Sequence, residues 1–191
     1  MEKIRLYFDC DGVILDTIQT GRRLAIEQGY NPLDFDSFHE FFVQIDWNVL
    51  IYEAGILDNA ISKIKKIIET GKYDVKILTK LSGNETEEMA KRILLAKLLP
   101  GVEVITLALD ERKDRKVMPV GAILIEDSLK NFRQWNENGG ISVLLLKGDY
   151  IYDYPDEERI KEEEKENIID DIANFEEVCS VKTLLKGLSR N

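Results

Sequence analysis

The stretch Ile4-Arg5-Leu6-Tyr7-Phe8-Asp9-Cys10-Asp11-Gly12-Val13-Ile14-Leu15-Asp16-Thr17 decides how the chain is read. Ile4 to Phe8 is a short apolar, β-favouring run that stops abruptly at Asp9-Cys10-Asp11-Gly12, which reads as a buried strand emptying into a tight loop. Two acids two positions apart at the end of such a strand can both face the crevice beyond the strand ends, where open α/β sheets bind ligands. A calcium loop is excluded, because Gly12 falls too early and Thr20 stands where the bidentate Glu is required. The bland alternative is that the acids merely end a strand and cap a turn.

Working outward, residues 17–71 contain no convincing strand but several helical stretches. One runs near 18–28, one starts with Asp36 as its N-cap, and one spans 58–70 with Ala60, Ile61, Ile64, Ile67 and Ile68 at helical spacing before Gly71. The pattern then becomes regular. Asp74 to Thr79, Val102 to Leu107, Ala122 to Ile125 and Ile141 to Leu146 read as strands, with helices over Glu85 to Leu98 and Leu129 to Glu137. Short apolar strands alternating with helices predict a parallel sheet covered on both faces, a Rossmann-like α/β core made of residues 1–16 and 72–191. The helical stretch 17–71 breaks this alternation and is expected to form a small inserted cap over the C-terminal edge of the sheet.

Further pieces of a site stand at other strand ends. Thr79 closes one strand, Lys116 precedes the apolar strand 122–125, and that strand ends in Glu126-Asp127-Ser128. Each has an ordinary explanation alone: strand threonine, surface lysine, helix-capping acids. Together they would present two acid pairs, a hydroxyl and an ammonium to one crevice. Carboxylates from separate elements, without histidine or thiol beside them, form a hard-oxygen set suited to Mg²⁺.

With these residues in view, the sequence resembles the haloacid dehalogenase-like hydrolase superfamily in its helical-cap form. Phe8 to Thr17 is similar to the first motif, DxDG(V/I)xxD(S/T), Thr79 to the second, Lys116 to the third, and Ile123 to Ser128 to the fourth. Lys113 is a rival for the third position, but the spacing Lys-x₄-Gly-x₄-Glu-Asp favours Lys116. The resemblance implies a Mg²⁺-dependent phosphomonoester hydrolase. In it, Asp9 is the nucleophile, Asp11 the acid and then the base, and Thr79 and Lys116 hold the phosphoryl oxygens. Asp9, the Asp11 carbonyl and Asp127 would hold the metal, with Glu126 orienting a water.

A fainter similarity, through Lys-x₄-Gly, the glycine-containing entry to the helix at 58–70 and Trp135 with Gly139-Gly140, points to the 5′(3′)-deoxyribonucleotidase group. The chain departs from that group at Thr79-Lys80-Leu81, where a small hydroxyl residue is usual after the threonine. A nucleotide would use Lys80 near its phosphate, Phe42 and Trp47 against the base, and Arg22 and Arg23 for a remote anion. The aromatics are otherwise ordinary cap core, and the arginines an ordinary solvated face. A sugar-phosphate phosphatase or phosphomutase is the alternative enzyme, and a catalytically idle adaptor with an acidic tail the alternative from outside enzymology.

Composition bounds these readings. The 191 residues carry 36 acidic and 26 basic side chains, a formal charge of −10, which disfavours nucleic-acid polymers and anionic membranes as partners. Residues 150–191 hold 12 of the acids against 6 bases, and the segment 156–166 reads as an acidic surface stretch, a solvated helix or loop. A last strand near Ile168-Ile169 and a closing helix from Phe175 to Leu185 are expected after it. No apolar run is long enough to span a membrane, and Met1 to Arg5 lacks the apolar core of a signal peptide. Two distant cysteines, Cys10 and Cys179, form no disulfide framework, so a cytoplasmic setting is expected. His39 is the single histidine and reads as a packing residue on a helix, so the chemistry must run on carboxylates, lysines and hydroxyls.

Overall fold

The computed structural model describes residues 3–146 and 160–178. Six strands, β1 (Ile4–Phe8), β2 (Tyr73–Leu81), β3 (Glu103–Ala108), β4 (Ala122–Glu126), β5 (Ile141–Leu145) and β6 (Ile168–Ile169), make one sheet in the order β3-β2-β1-β4-β5-β6. Every pairing in it is parallel. Helices connect the strands: α1 (Thr17–Glu27), α2 (Phe35–Gln44), α3 (Trp47–Ala54) and α4 (Ala60–Glu69) before β2, α5 (Glu87–Leu98), α6 (Lys113–Lys116) and α7 (Leu129–Glu137) after it. This is the expected Rossmann-like arrangement. None of the described helices is long and apolar enough to cross a membrane.

Strand β4 is apolar on both faces because both faces are covered: all five of its residues are buried. Leu6, Phe8, Ile123 and Ile125 face one side with Ile64 and Val143, while Tyr7 and Leu124 face the other with Trp135. Each such fully buried side chain contributes about 1.5–3 kcal/mol. Trp135 packs edge-on against Tyr7, and Gly140 gives it room, since a Cβ there would lie 2.2 Å from Trp135 Nε1. The Trp135 and Gly140 pattern is thus a packing device of the sheet.

The chain builds β1, β2 and β3 outward in one direction, then returns to place β4 on the other side of β1. That reversal opens a crevice beyond the C-terminal ends of β1 and β4, the natural ligand position in such a sheet.

Two expectations about the cap change. Helices α1, α2 and α3 form it around Ala25, Phe41, Trp47 and Leu50. By contrast, α4 lays Ala60, Ile64 and Ile67 into the main core with Leu6 and Val75. The apolar stripe of α4 fits the sheet, so the chain leaves the cap near residue 57, where Leu57 N–H donates to Ile14 O at 2.9 Å, rather than at 71. The N-cap of α2 is Asp34, whose side chain accepts from Ser37 N, and not Asp36, which lies in the first turn.

Of the acidic segment, residues 156–159 lie outside the described residues. The rest forms a short 3₁₀ helix, Glu162–Asn167, anchored by Arg133, whose Nε and Nη2 donate to Glu164 at 2.6 and 2.9 Å. Residues Ile172–Glu177 form another 3₁₀ helix, which takes in the start of the closing helix expected from Phe175 to Leu185; the part of it beyond Val178 lies outside the described residues.

Candidate active site

Two buried lysines organise the crevice, each between carboxylates. The first is Lys113, on the one-turn helix α6. Its Nζ lies 2.8 Å from Asp9 Oδ2 and 2.7 Å from Glu126 Oε2, and its side chain is 2% exposed. Asp9 is aimed by the end of β1, where its N–H donates to Ile125 O at 2.9 Å and its Oδ1 accepts Cys10 N–H at 2.7 Å. Glu126 ends β4, fully buried, and its Oε1 accepts Ser128 N–H at 3.1 Å.

Asp127 completes this group. One oxygen each from Asp9, Glu126 and Asp127 lies within 4.8 Å of the others. Gly12 makes the approach possible: its φ is +72°, and a Cβ on it would stand 2.0 Å from Asp127 Oδ2. Three acids share one ammonium, so the group favours a proton or a cation. Burial, reinforced by Glu126, pushes the Asp9 carboxyl up to about 7, with Lys113 working the other way. Burial and the charges of Glu126 and Asp9 likewise push Asp127 well up. An all-oxygen set with surplus negative charge fits a hard divalent cation such as Mg²⁺.

The assignment of Lys116 is therefore corrected. Lys116 is the exposed last residue of α6, whereas Lys113, its first residue, reaches the acids. Counting residues to Glu126 treats the segment as extended. The single helical turn directs its first side chain, not its last, toward the ends of β1 and β4.

The second lysine, Lys91 on α5, has a side chain with no exposure at all. Its Nζ lies 2.5 Å from Asp11 Oδ2 and 2.6 Å from Glu87 Oε1. It also donates to Lys80 O at 3.1 Å, and it sits 4.5 Å from the centroid of the Trp47 ring. Burial alone would depress this ammonium, but Asp11, Cys10 and Glu87 more than reverse that and raise it above the ordinary lysine range. Asp11 Oδ1 accepts Thr17 Oγ1–H at 2.7 Å, and Thr79 Oγ1 lies 3.4 Å from Asp11 Oδ2. Thr79 is thus buried beside Asp11 and Lys91 and is not among the residues lining the cavity. The Asp11 carboxylate stands apart from the cluster of Asp9, Glu126 and Asp127.

A cavity of about 420 Å³ opens over these groups, with Asp9, Asp11 and Asp127 at its floor. Phe35, Phe38, Phe42, His39 and Trp47 of the cap line one side, Lys80, Leu81, Lys130 and Asn131 of the core the other. Phe42 and Trp47 both line the cavity and pack the cap, their ring centroids 5.8 Å apart. Lys80 donates to Leu109 O at 3.0 Å, and burial together with the Lys113 charge lowers its pKa. Arg22 and Arg23 are not cavity residues; Arg23 pairs at the surface with Glu27 and Glu53. His39, expected only to pack, faces the cavity with Nε2 3.0 Å from Ser82 O.

Glu87 and Lys91 escaped the sequence reading. On a helix, an acid and a lysine four apart look like a surface pair. The available signal was their phase: with Ala90 and Leu95 they form the buried face of α5.

No family model matches the chain, and no curated protein matches it in sequence. Solved structures do share its fold. A phosphonoacetaldehyde hydrolase-like protein from Oleispira antarctica aligns over 100% of this chain and 95% of its own, with TM-score 0.62 and 10% identity. A β-phosphoglucomutase from Clostridium difficile aligns over 99% and 100%, with TM-score 0.53 and 15% identity. A D,D-heptose 1,7-bisphosphate phosphatase from B. bronchiseptica, complexed with magnesium and phosphate, aligns over 97% and 99%, with TM-score 0.51 and 16% identity. The chain has the fold of the haloacid dehalogenase-like hydrolases.

Proposed function

We propose that this chain, with its haloacid dehalogenase-like fold, is a phosphomonoester hydrolase acting through a covalent intermediate on Asp9. The observation that carries the reading is the group Asp9, Lys113, Glu126 and Asp127 at the floor of a cavity large enough for a small metabolite.

Phosphate-monoester hydrolysis is so slow without catalysis that positioning and charge stabilisation are the main demands. An Asp9 oxygen attacks phosphorus while the bond from phosphorus to the ester oxygen breaks, and that oxygen takes a proton from Asp11. Water then attacks the aspartyl-phosphate, its proton passes to Asp11, and inorganic phosphate leaves with Asp9 restored. Lys113 offsets the Asp9 charge and holds the carboxylate against β4. Asp9, Glu126 and Asp127 would hold Mg²⁺, with the Asp11 carbonyl as the further ligand that the family resemblance implies. When bound, the cation supplies the positive charge that lets a phosphate dianion approach these acids.

The leaving group is read from the cavity wall. Phe35, Phe38 and Phe42 offer a flat apolar surface, with Lys80 and Lys130 at the core side. This surface suits a phosphate ester with a planar ring, a nucleoside monophosphate among small metabolites, better than a bare sugar phosphate.

The test is phosphate release from a panel of aryl, nucleotide and sugar phosphates with excess Mg²⁺. The reading expects turnover that EDTA abolishes and Mg²⁺ restores, fastest on ring-bearing esters. Interconversion of sugar phosphates without net phosphate release would make the chain a phosphomutase, and no reaction under any condition would overturn the reading.

A further inference from the structure

Lys91 has no place in the chemistry just described, yet its charge is fully enclosed beside the cavity. An ammonium has three protons to donate, and here Asp11 Oδ2, Glu87 Oε1 and Lys80 O take them at 2.5, 2.6 and 3.1 Å. The face of Trp47 closes the remaining side at 4.5 Å. Burying such a charge carries a desolvation cost that an apolar side chain would not incur, so sheet packing alone does not account for it.

The cage is braced from the cap as well as from the core. Glu87 Oε2 accepts both Ser82 N–H and Ser82 Oγ–H at 2.6 Å. Ser82 O lies 3.0 Å from His39 Nε2 on α2. Trp47, which begins α3, donates its backbone N–H to Thr86 Oγ1 at 3.2 Å and its Nε1–H to Phe42 O at 3.0 Å. The position of Lys91 is thus set jointly by α5 and by two cap helices.

We propose that Lys91 is a positioning residue for Asp11: with Thr17 it fixes the carboxyl group where the departing ester oxygen must be protonated, and through Trp47 it ties that position to the seated cap. Without Lys91, Asp11 keeps only Thr17 on Oδ1 and the long Thr79 contact on Oδ2. The carboxyl group is then free to turn away from the leaving oxygen. The inference rests on the phosphatase reading, and its test separates the two.

The test compares two esters of the same shape class that differ in their need for a proton. Dinitrophenolate leaves phosphorus unaided, whereas phenolate requires protonation. Wild type, Lys91→Met and the double variant Glu87→Gln/Lys91→Met are assayed on phenyl phosphate and 2,4-dinitrophenyl phosphate with Mg²⁺. The value compared is kcat/KM, which reports on steps up to loss of the leaving group. Both variants are expected to lose on the order of a hundredfold on phenyl phosphate and less than about threefold on the dinitrophenyl ester. The ratio of the two values cancels the folded fraction, and the double variant removes the buried charges together, so poor folding of one variant does not imitate the result. An equal loss on both esters, or no loss on either, overturns the role of Lys91 while leaving the phosphatase reading intact. A wild-type protein that hydrolyses neither ester overturns that reading itself.

Discussion

The two lysine-centred groups differ in what surrounds them. Lys113 lies between Asp9 and Glu126 at the centre of the sheet, with Asp127 as a third acid and a glycine cradle beside it. Lys91 lies between Asp11 and Glu87 on a flanking helix, with two acids and an indole ring. The first group carries negative charge that one ammonium cannot neutralise, which makes it the place for a cation and a reacting phosphoryl group. The second carries a smaller surplus, two acids to one ammonium, and is closed by the cap, which makes it a means of holding one carboxyl group still. The larger charge surplus marks the site of reaction, and the smaller, enclosed one marks its support.

The sharpest way to break this comparison is to remove each lysine. Lys113→Met should lower kcat/KM by on the order of 10²–10³-fold on good and poor leaving groups alike, because Lys113 offsets the nucleophile's charge in either case. It should also destabilise the fold by about 3–5 kcal/mol, since it leaves buried acids without a cation. A loss confined to poor leaving groups would erase the distinction between the two lysines. Chemical denaturation with and without Mg²⁺ measures the stability part.

The surplus charge also predicts how metal binding depends on pH. A carboxyl group whose folded pKa is raised contributes stability that is present at low pH and lost as pH rises through the folded value, here about 7 for Asp9. Mg²⁺ must displace that proton. Asp127 is pushed up as well, so the affinity should fall by at least about tenfold per unit as pH drops below about 7. Titration calorimetry from pH 5.5 to 8.5, values chosen to bracket that range by about 1.5 units, checks this. A flat profile would mean that Asp9, Glu126 and Asp127 do not hold the cation. The smallest effect belongs to Lys116→Met, expected to change kcat/KM by less than about twofold because the side chain is exposed on α6. A large effect would restore the lysine that the spacing favoured.

Much of this was legible in the residues. Apolar runs such as Ala122 to Ile125 leave little choice but a strand covered on both faces, and Asp9, Asp11, Glu126 and Asp127 follow strand ends that the topology then brings together. What was not legible depends on rotation about a helix. One turn of α6 decides between Lys113 and Lys116, and the phase of α5 turns Glu87 and Lys91 inward. The assignment of α4 to the sheet was hidden for a related reason: an apolar stripe records that a helix is covered, but not by which partner. The cap aromatics carried both meanings at once, since Phe42 and Trp47 pack the cap and line the cavity.

The central claim is that Asp9 takes the phosphoryl group. Protein mixed with Mg²⁺ and excess phenyl phosphate, quenched in acid within its first turnovers and digested, should yield the peptide containing Asp9 with one phosphoryl group that hydroxylamine releases. The Asp9→Asn variant should show neither the adduct nor phosphate release. Continued turnover by Asp9→Asn, or steady phosphate release by wild type with no adduct on Asp9, would contradict the account.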